Sequence, residues 1–421
     1  LGGIRIDLPN YPALNTYNTQ VAGITFEDFK GSGGKYSTDV LPKSQVMWSP
    51  RVGFNWDILG DRKYVLRGGT GIFTGRIPFV WIVAQAGDAG VLQRTYTAVS
   101  GGTATIPTFV ANRLDMLSQI YPNGPTSGNA ANITSVTMMD RDLKMPQTWK
   151  TSLALDAKLP WNVFASLEGI YNQDVNSVTV RNIGLKAPAS SSINNYADNR
   201  LYYGTYYDNT LKSAYLLHNA DKDGYYYSLT AKLEKNNWHG LSAMMAYTYS
   251  QAKSLGDGFG DQVYSAYQNA STVHGMNQQE LGAPAYVMPH RLIGSIGYTK
   301  EYGKHFATSV SLFYEGGPSG RASYTYTANI TGDGSAYNLI YVPKSADELT
   351  FSNYTYKDAA GVTQTYTAAQ QASDFWAYVN QDDYLKTRKG KYAERNGVVY
   401  PWVHQFDLKI TQDYFMDIKG K

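Results

Sequence analysis

The chain has no cysteine among its 421 residues. A disulfide framework and thiolate metal sites are therefore excluded, while the compartment stays open. Charge is also scarce: Asp, Glu, Lys and Arg together make 17%, against about 25% in ordinary soluble domains. The net formal charge is only +3 and the basic residues are spread along the chain, so no nucleic-acid partner is indicated. Long apolar runs are missing too. The longest, IPFVWIVA at 77–84, falls far short of the roughly eighteen residues that a membrane-spanning helix needs. A membrane location would require a barrel. The chain opens on LGGIRIDL, which already alternates like a strand, without initiator methionine or signal sequence, and is read as a piece of something longer.

Aromatic residues are what the chain has in excess. There are 36 tyrosines and 40 glycines, aromatics make up 14% and apolar residues 43%. Such a length could hold two or three soluble domains with packed cores, but this balance favours β structure at a surface where rings are useful. In SPRVGFNWDIL at 49–59, Pro50, Val52, Phe54, Trp56 and Ile58 fall on one side of an extended chain, and Ser49, Arg51, Gly53, Asn55 and Asp57 on the other. The same period of two returns in WKTSLALDAKL (149–159), YYYSLTAKLE (225–234), LSAMMAYTYS (241–250), RLIGSIGYT (291–299), FATSVSLFYE (306–315) and WVHQFDLKITQDYF (402–415). Sustained alternation of this kind marks strands with one apolar and one polar face.

Several of these strands suit a tilted bilayer span of roughly nine to eleven residues. Short turns near 60–62, 160–162, 236–240 and 301–305 alternate with long polar segments at about 8–44, 77–145, 184–221, 254–287 and 316–400. That asymmetry fits tight periplasmic turns at one end of a barrel and long extracellular loops at the other. Trp56, Tyr64, Trp161, Trp238, Tyr302, Tyr414 and Phe415 cluster beside the short turns, where an interfacial girdle would lie. The expected fold is all-β: a transmembrane antiparallel up-and-down β-barrel, with residues 1–421 forming part of it. The face of Val52, Phe54, Trp56 and Ile58 then looks into lipid, and that of Arg51, Asn55 and Asp57 into a hydrated lumen. Pro50, which cannot donate to a ladder, marks a bulge or the start of a strand. Alternation alone leaves open a soluble β-sandwich whose apolar faces pack together.

Three strings carry a likeness to a known family: MWSPRVGFNWDILGDRKYVLRGGTGIFTGRIPFVW (47–81), YNLIYVPK (337–344) and GKYAERNGVVYPWVHQFDLKITQDYF (390–415). With LGGIRIDLPNYP at the start and MPHRLIGSIGY at 288–298, they resemble TonB-dependent outer-membrane receptors of the Oar-like type of Bacteroidetes. The resemblance implies a barrel of about twenty-two strands closed by an N-terminal plug, with a TonB box and often a carboxypeptidase regulatory-like domain before it. It implies energised import of a bulky ligand, driven through TonB, ExbB and ExbD, and an association of some members with peptides or protein secretion. Plug, TonB box and closing strand have no counterpart in this sequence. About ten transmembrane strands can be counted, less than half of such a barrel.

Other motifs speak for ordinary structure. GGTGIFTG at 68–75 misses the dinucleotide-binding spacing and reads as a strand whose small residues sit where the wall bends or a plug packs closely. The aspartates of DKDG (221–224) and DGFGD (257–261) could hold a loop calcium ion, although Asx turns are the commoner cause. His218, His239, His274, His290, His305 and His404 show no metal-ligand spacing. No catalytic constellation can be assembled, so no enzyme is expected, nor any cofactor beyond that calcium. The spacing of Phe375, Trp376, Val379 and Leu385 predicts a helix within 373–396, capped by Ser373.

Ligand contacts are expected from two sets of residues. Arg51, Arg67, Lys150, Tyr226, Lys232, Arg291, Glu315 and Lys409 would line the lumen, as a mixed-sign wall suited to a polar plug. Trp81, Tyr264, Tyr267, Trp376 and Tyr378 lie in the presumed extracellular segments and could stack on sugars or apolar peptide side chains. Three functions follow: a TonB-coupled importer of a peptide or other oligomeric nutrient, a non-energised or secretion-associated outer-membrane pore, and a soluble, β-rich surface binding protein. A glycan importer working with a surface lipoprotein is a variant of the first.

Overall fold

The computed structural model describes residues 1–26, 34–93, 106–120, 133–187, 197–257 and 262–416. Ten strands form one antiparallel sheet in which each pairs with the next along the chain. They are β1 (Gly2–Asp7), β2 (Met47–Asp57), β3 (Tyr64–Thr74), β4 (Gln147–Leu159), β5 (Val163–Val175), β6 (Tyr225–Trp238), β7 (Leu241–Lys253), β8 (His290–Tyr302), β9 (Phe306–Pro318) and β10 (Trp402–Tyr414). Among the described residues nothing pairs β1 with β10. The result is an open, up-and-down wall with a free edge at each side. No helix among the described residues is long and apolar enough to cross a membrane.

Four tight turns gather along one rim of the wall, at the places expected from sequence. Residues with positive φ make them possible: Gly60 and Arg62, Trp161 and Asn162, His239 and Gly240, Gly303 and Lys304. The link between β6 and β7 needs only His239 and Gly240, at φ 52° and 86°, the pairing of signs that matches the twist of a hairpin. A Cβ on Gly240 would come 2.3 Å from the Thr299 carbonyl oxygen, so the position takes glycine alone.

Register decides which side chains share a face, because residues directly opposite across an antiparallel pair point the same way. One row runs Trp56, Leu66, Leu155, Leu167, Ala231, Tyr247, Leu292 from β2 to β8. The row beside it runs Asn55, Arg67, Ala154, Glu168, Thr230, Thr248, Arg291. The apolar face stands bare, with Leu233 53% and Phe406 62% exposed. A soluble sandwich would bury this face under a second sheet, and its exposure overturns that alternative.

Two aromatic belts bound the bare face. Trp161, Trp238, Tyr302, Phe306 and Tyr414 lie by the tight turns, and Tyr171, Tyr227, Tyr249, His290 and Trp402 towards the other rim. Strict alternation along β6 would turn Trp238 to the polar side with Lys232 and Glu234. A register shift between Leu241 and Ala243 returns it to the apolar face opposite Leu241. From Tyr227 to Trp238 the chain covers about 36 Å at about 3.3 Å per residue, which a tilt of about 40° reduces to about 28 Å, close to the height of a lipid-facing band.

Two local expectations change. The β1–β2 register runs unbroken from Gly2↔Val52 to Asp7↔Met47, so Pro50 makes no bulge, and the β2–β3 ladder begins just past it at Arg51. The glycines of β3 answer to neighbouring strands: a Cβ on Gly68 would meet the Ser152 carbonyl oxygen at 2.8 Å and the Phe54 ring at 3.1 Å.

The larger change concerns the long connections, expected as polar and weakly constrained. They carry the buried core. A strand at Ser213–Asn219 is flanked by a parallel one at Ser135–Met139 and an antiparallel one at Val178–Asn182, joining two connections into one sheet. Met139, Leu143, Leu217 and Val263 pack on one side, and Val136, Met138, Leu211 and Leu216 in a second cluster. In the last connection Leu339, Val342, Val379 and Leu385 form a third. The helix there spans Ala368–Gln381, beginning before the expected cap at Ser373. Thr367 caps it in a reciprocal arrangement with Gln370, a stronger N-terminal signal than serine alone.

Candidate functional site

The polar face of the wall is the first candidate surface. Arg51, Lys150 and Tyr226 belong to one row through Gly71 and Asn172, and Arg67 and Arg291 to another, two rows along the same face. Lys232 and Glu315 share a third row through Ala246 and Ile293, and Lys409 lies opposite Ser311, on the same side. All eight residues expected in the lumen therefore share one face. Four of them are ion-paired. Arg67 pairs with Asp156 at 2.9 Å and Glu168 at 3.2 Å, Lys232 with Glu234 at 2.7 Å, and Arg291 with Glu315 at 2.7 Å. Arg51 lies 4.2 Å and Lys150 5.5 Å from the centre of the Phe73 ring. The paired groups, within one strand or across one or two, neutralise each other locally and leave a hydrated, mixed-sign wall.

The folded layer of long connections is the second candidate surface. Trp81 is half-buried in the helix Phe79–Asp88, and Tyr264 is exposed. Tyr378 is exposed and shares a 2.8 Å hydrogen bond with the Tyr324 hydroxyl, while the half-buried Trp376 lies 4.7 Å from Lys389 Nζ. Tyr267 departs from expectation: it is fully buried, and its hydroxyl donates to the Asp333 carbonyl at 3.0 Å. Burial pushes its hydroxyl pKa well up, and it serves the core of the layer, with no face free for a ligand.

Sequence reasoning missed the ion pair that ties this layer together. Arg200 is fully buried. It pairs with Asp198 at 2.8 Å and donates to the carbonyls of Val273 at 3.1 Å and Leu339 at 2.8 Å. Tyr392 stacks under its guanidinium at 4.9 Å and donates to Asp198 at 2.9 Å. Three long connections meet at this one side chain. Near it, Arg395 donates to the carbonyl of Leu255 at 2.6 Å and to that of Ser254, and Asn396 donates to Asp257 at 2.9 Å. Of the aspartates considered for calcium, Asp221 pairs with Arg181 at 3.4 Å, Asp223 accepts from the Ser177 backbone N–H, and Asp257 is held by Asn396. Residues 258–261 lie outside the described residues.

Between layer and wall lies a cavity of about 540 Å³. The outer ends of β4 and β5 form its floor, through Thr148 and Asp174, and Trp81, Val180, Met276 and Tyr286 line the rest. A second depression, of about 530 Å³, sits lower on the polar face among Arg67, Asp156, Glu168 and Lys232.

A bare apolar face between two aromatic belts, backed by a mixed-sign polar face, is what a lipid bilayer and a hydrated lumen require of a wall. The outer membrane β-barrel domain model matches residues 7–416. The chain belongs to the outer membrane β-barrel domain family. It resides in the outer membrane, where the short turns of such barrels face the periplasm and the long connections the outside. No curated protein matches this barrel chain. Among solved structures it is similar to the outer membrane transporter YddB from Escherichia coli, at 13% identity over 88% of this chain and 41% of that one, TM-score 0.38. It is also similar to a variant of the ferric enterobactin receptor from Pseudomonas aeruginosa, at 9% identity over 76% and 31%, TM-score 0.35. A variant of the Serratia marcescens hemophore receptor HasR, in complex with hemophore and heme, shows 9% identity over 76% and 41%, TM-score 0.32. The barrel chain thus spans less than half the length of these structures.

The extracellular layer of this barrel contains a histidine whose protonation costs stability. Burial, reinforced by the charge of Arg181, lowers the His218 pKa from 6.5 to about 3. When the layer opens, the ring regains its ordinary affinity for protons, so below about pH 6.5 the open state binds one proton more. Stability of the layer is therefore full above about pH 6.5 and falls by about 1.4 kcal/mol per unit as the pH drops towards 3. Hydrogen-exchange protection factors across Ser213–Asn219, taken relative to the intrinsic exchange rate at each pH, should fall as the pH drops over that range in the native protein, and the slope should flatten in His218→Gln.

Proposed function

We propose that this chain is somewhat less than half of the wall of a TonB-dependent transporter of the Oar-like type, which takes up a peptide or another oligomeric nutrient. The observation that carries the reading is the polar face. It carries charges of both signs, with Arg67, Lys232 and Arg291 paired to carboxylates within the wall, which suits close contact with a polar plug and gives little basis for ion selection. Two free strand edges fit continuation of the barrel on both sides, since bare edges in hydrocarbon leave backbone groups unsatisfied. The residue strings at 47–81, 337–344 and 390–415 supply the link to the Oar-like type. In this reading TonB, ExbB and ExbD act through a region of the polypeptide that carries the plug, and a surface lipoprotein is a further candidate partner.

Two measurements test the proposal on the full-length protein. In planar bilayers a plugged transporter should show no steady conductance, whereas the pore alternative predicts open channels. In cells, uptake of a labelled oligopeptide mixture should depend on this protein and stop when a protonophore collapses the inner-membrane gradient. Open channels, or uptake indifferent to the protonophore, would overturn the energised reading.

A further inference from the structure

The cavity beneath the extracellular layer has a chemical bias that the rest of the lumen lacks. Asp174 and Asp257 are its only charged lining residues among those described, and no lysine, arginine or histidine faces it. Asp257 is oriented by the Asn396 amide at 2.9 Å and the Ala285 backbone N–H at 2.9 Å, and the Arg395 guanidinium acts on it through its charge without a hydrogen bond. Arg395 gives its hydrogen bonds to the carbonyls of Leu255, Ser254 and Gly282. Asp174 has no ion pair among the described residues, in contrast to the carboxylates lower on the same face. It stands beside Gly224, where a Cβ would come 2.7 Å from its Oδ2, so the glycine leaves room for the carboxylate.

The remaining lining is apolar and aromatic, with Trp81, Val180, Met276 and Tyr286 prominent. An occupant that brings a positive nitrogen on an apolar stem satisfies both features, the carboxylate without an ion pair and the aromatic and apolar walls. A hydrated metal ion would not, since no group of three metal-ligating side chains exists among the described residues and the apolar lining offers it nothing.

We infer that this cavity is a recognition site for the basic side chain of a peptide ligand, lysine or arginine, held by Asp174 with Asp257 in support. The inference rests on the peptide-uptake reading and narrows it to cationic peptides. The test uses full-length protein in detergent micelles and three acetylated, fluorescent hexapeptides, identical except for a central lysine, norleucine or glutamate. The lysine peptide should bind about tenfold more tightly than the norleucine peptide, with glutamate weakest, as expected for one charge-assisted hydrogen bond in a sheltered site. Asp174→Asn should abolish the lysine preference and leave norleucine binding unchanged. Equal binding of all three peptides would overturn the inference and leave peptide uptake standing. Binding of none would remove both. If Asp174→Asn instead lowers the melting temperature of the ligand-free protein while the lysine preference persists, a basic side chain of the same polypeptide fills the cavity and the inference also falls.

Discussion

Replacing Arg200 with alanine should loosen the extracellular layer by about 3–5 kcal/mol while the wall stays intact. The magnitude follows from what is left behind. Asp198 is 7% exposed, and without the guanidinium it keeps only the Tyr392 hydroxyl and the backbone N–H of residue 200 as donors. Stranding a buried charge in this way is among the costliest single changes. The carbonyls of Val273 and Leu339 lose their donors as well, adding unsatisfied acceptors. Because the three connections meet only through long-range contacts, the damage should spread through the layer. The expected result is rapid proteolytic nicking within residues 319–401 and faster hydrogen exchange there, with the heat-modifiable band of the folded barrel unchanged. The double change Asp198→Leu, Arg200→Met removes both charges and should recover a large part of the loss. If the alanine variant resists protease as the parent does, the ion pair is not what holds the layer.

Leu233→Arg should have the second largest effect, on the wall itself. Leu233 lies midway between Tyr227 and Trp238 on the apolar face, opposite Ala165 and Met245. A cation at that depth costs about 2–4 kcal/mol in a membrane barrel. The neighbouring change Lys232→Ser supplies the control. It alters charge one residue away but on the polar face, where the loss of one half-exposed pair with Glu234 should be worth less than about 1 kcal/mol. Urea unfolding in lipid vesicles should separate the two variants. Equal effects would mean that the face of Leu233 does not meet lipid, and the assignment of the two faces would fail.

Much of the wall was legible in the chain. Alternation is a local property, set by the two-residue repeat of an extended backbone, and positive-φ positions such as Gly240 announce a turn through nothing but their own sterics. The eight lumenal residues could be placed on one face because each strand fixes its own parity. Even so, Trp238 reached the apolar face through a bulge, and a bulge depends on how β7 lies against β6. The extracellular layer was not legible. Arg200 meets groups 73, 139 and 192 positions away, and the short run Asp198–Asn199–Arg200 gives no sign of them. Tyr267 and Tyr264 occupy the same short helix, yet one is buried and the other exposed, and only the neighbours that cover a ring decide whether it meets a ligand or a core.

The sequence by itself therefore determined an all-β wall with an apolar and a polar face and turns of two lengths, since each follows from the conformational preferences and spacing of residues close in the chain. Tertiary structure alone decided that the long connections fold into a layer with its own core, which of the lumenal charges are paired, and that an acidic cavity lies beneath the layer. Those features depend on contacts between residues far apart in the chain, where the gain from burying apolar surface and matching charge outweighs any local preference.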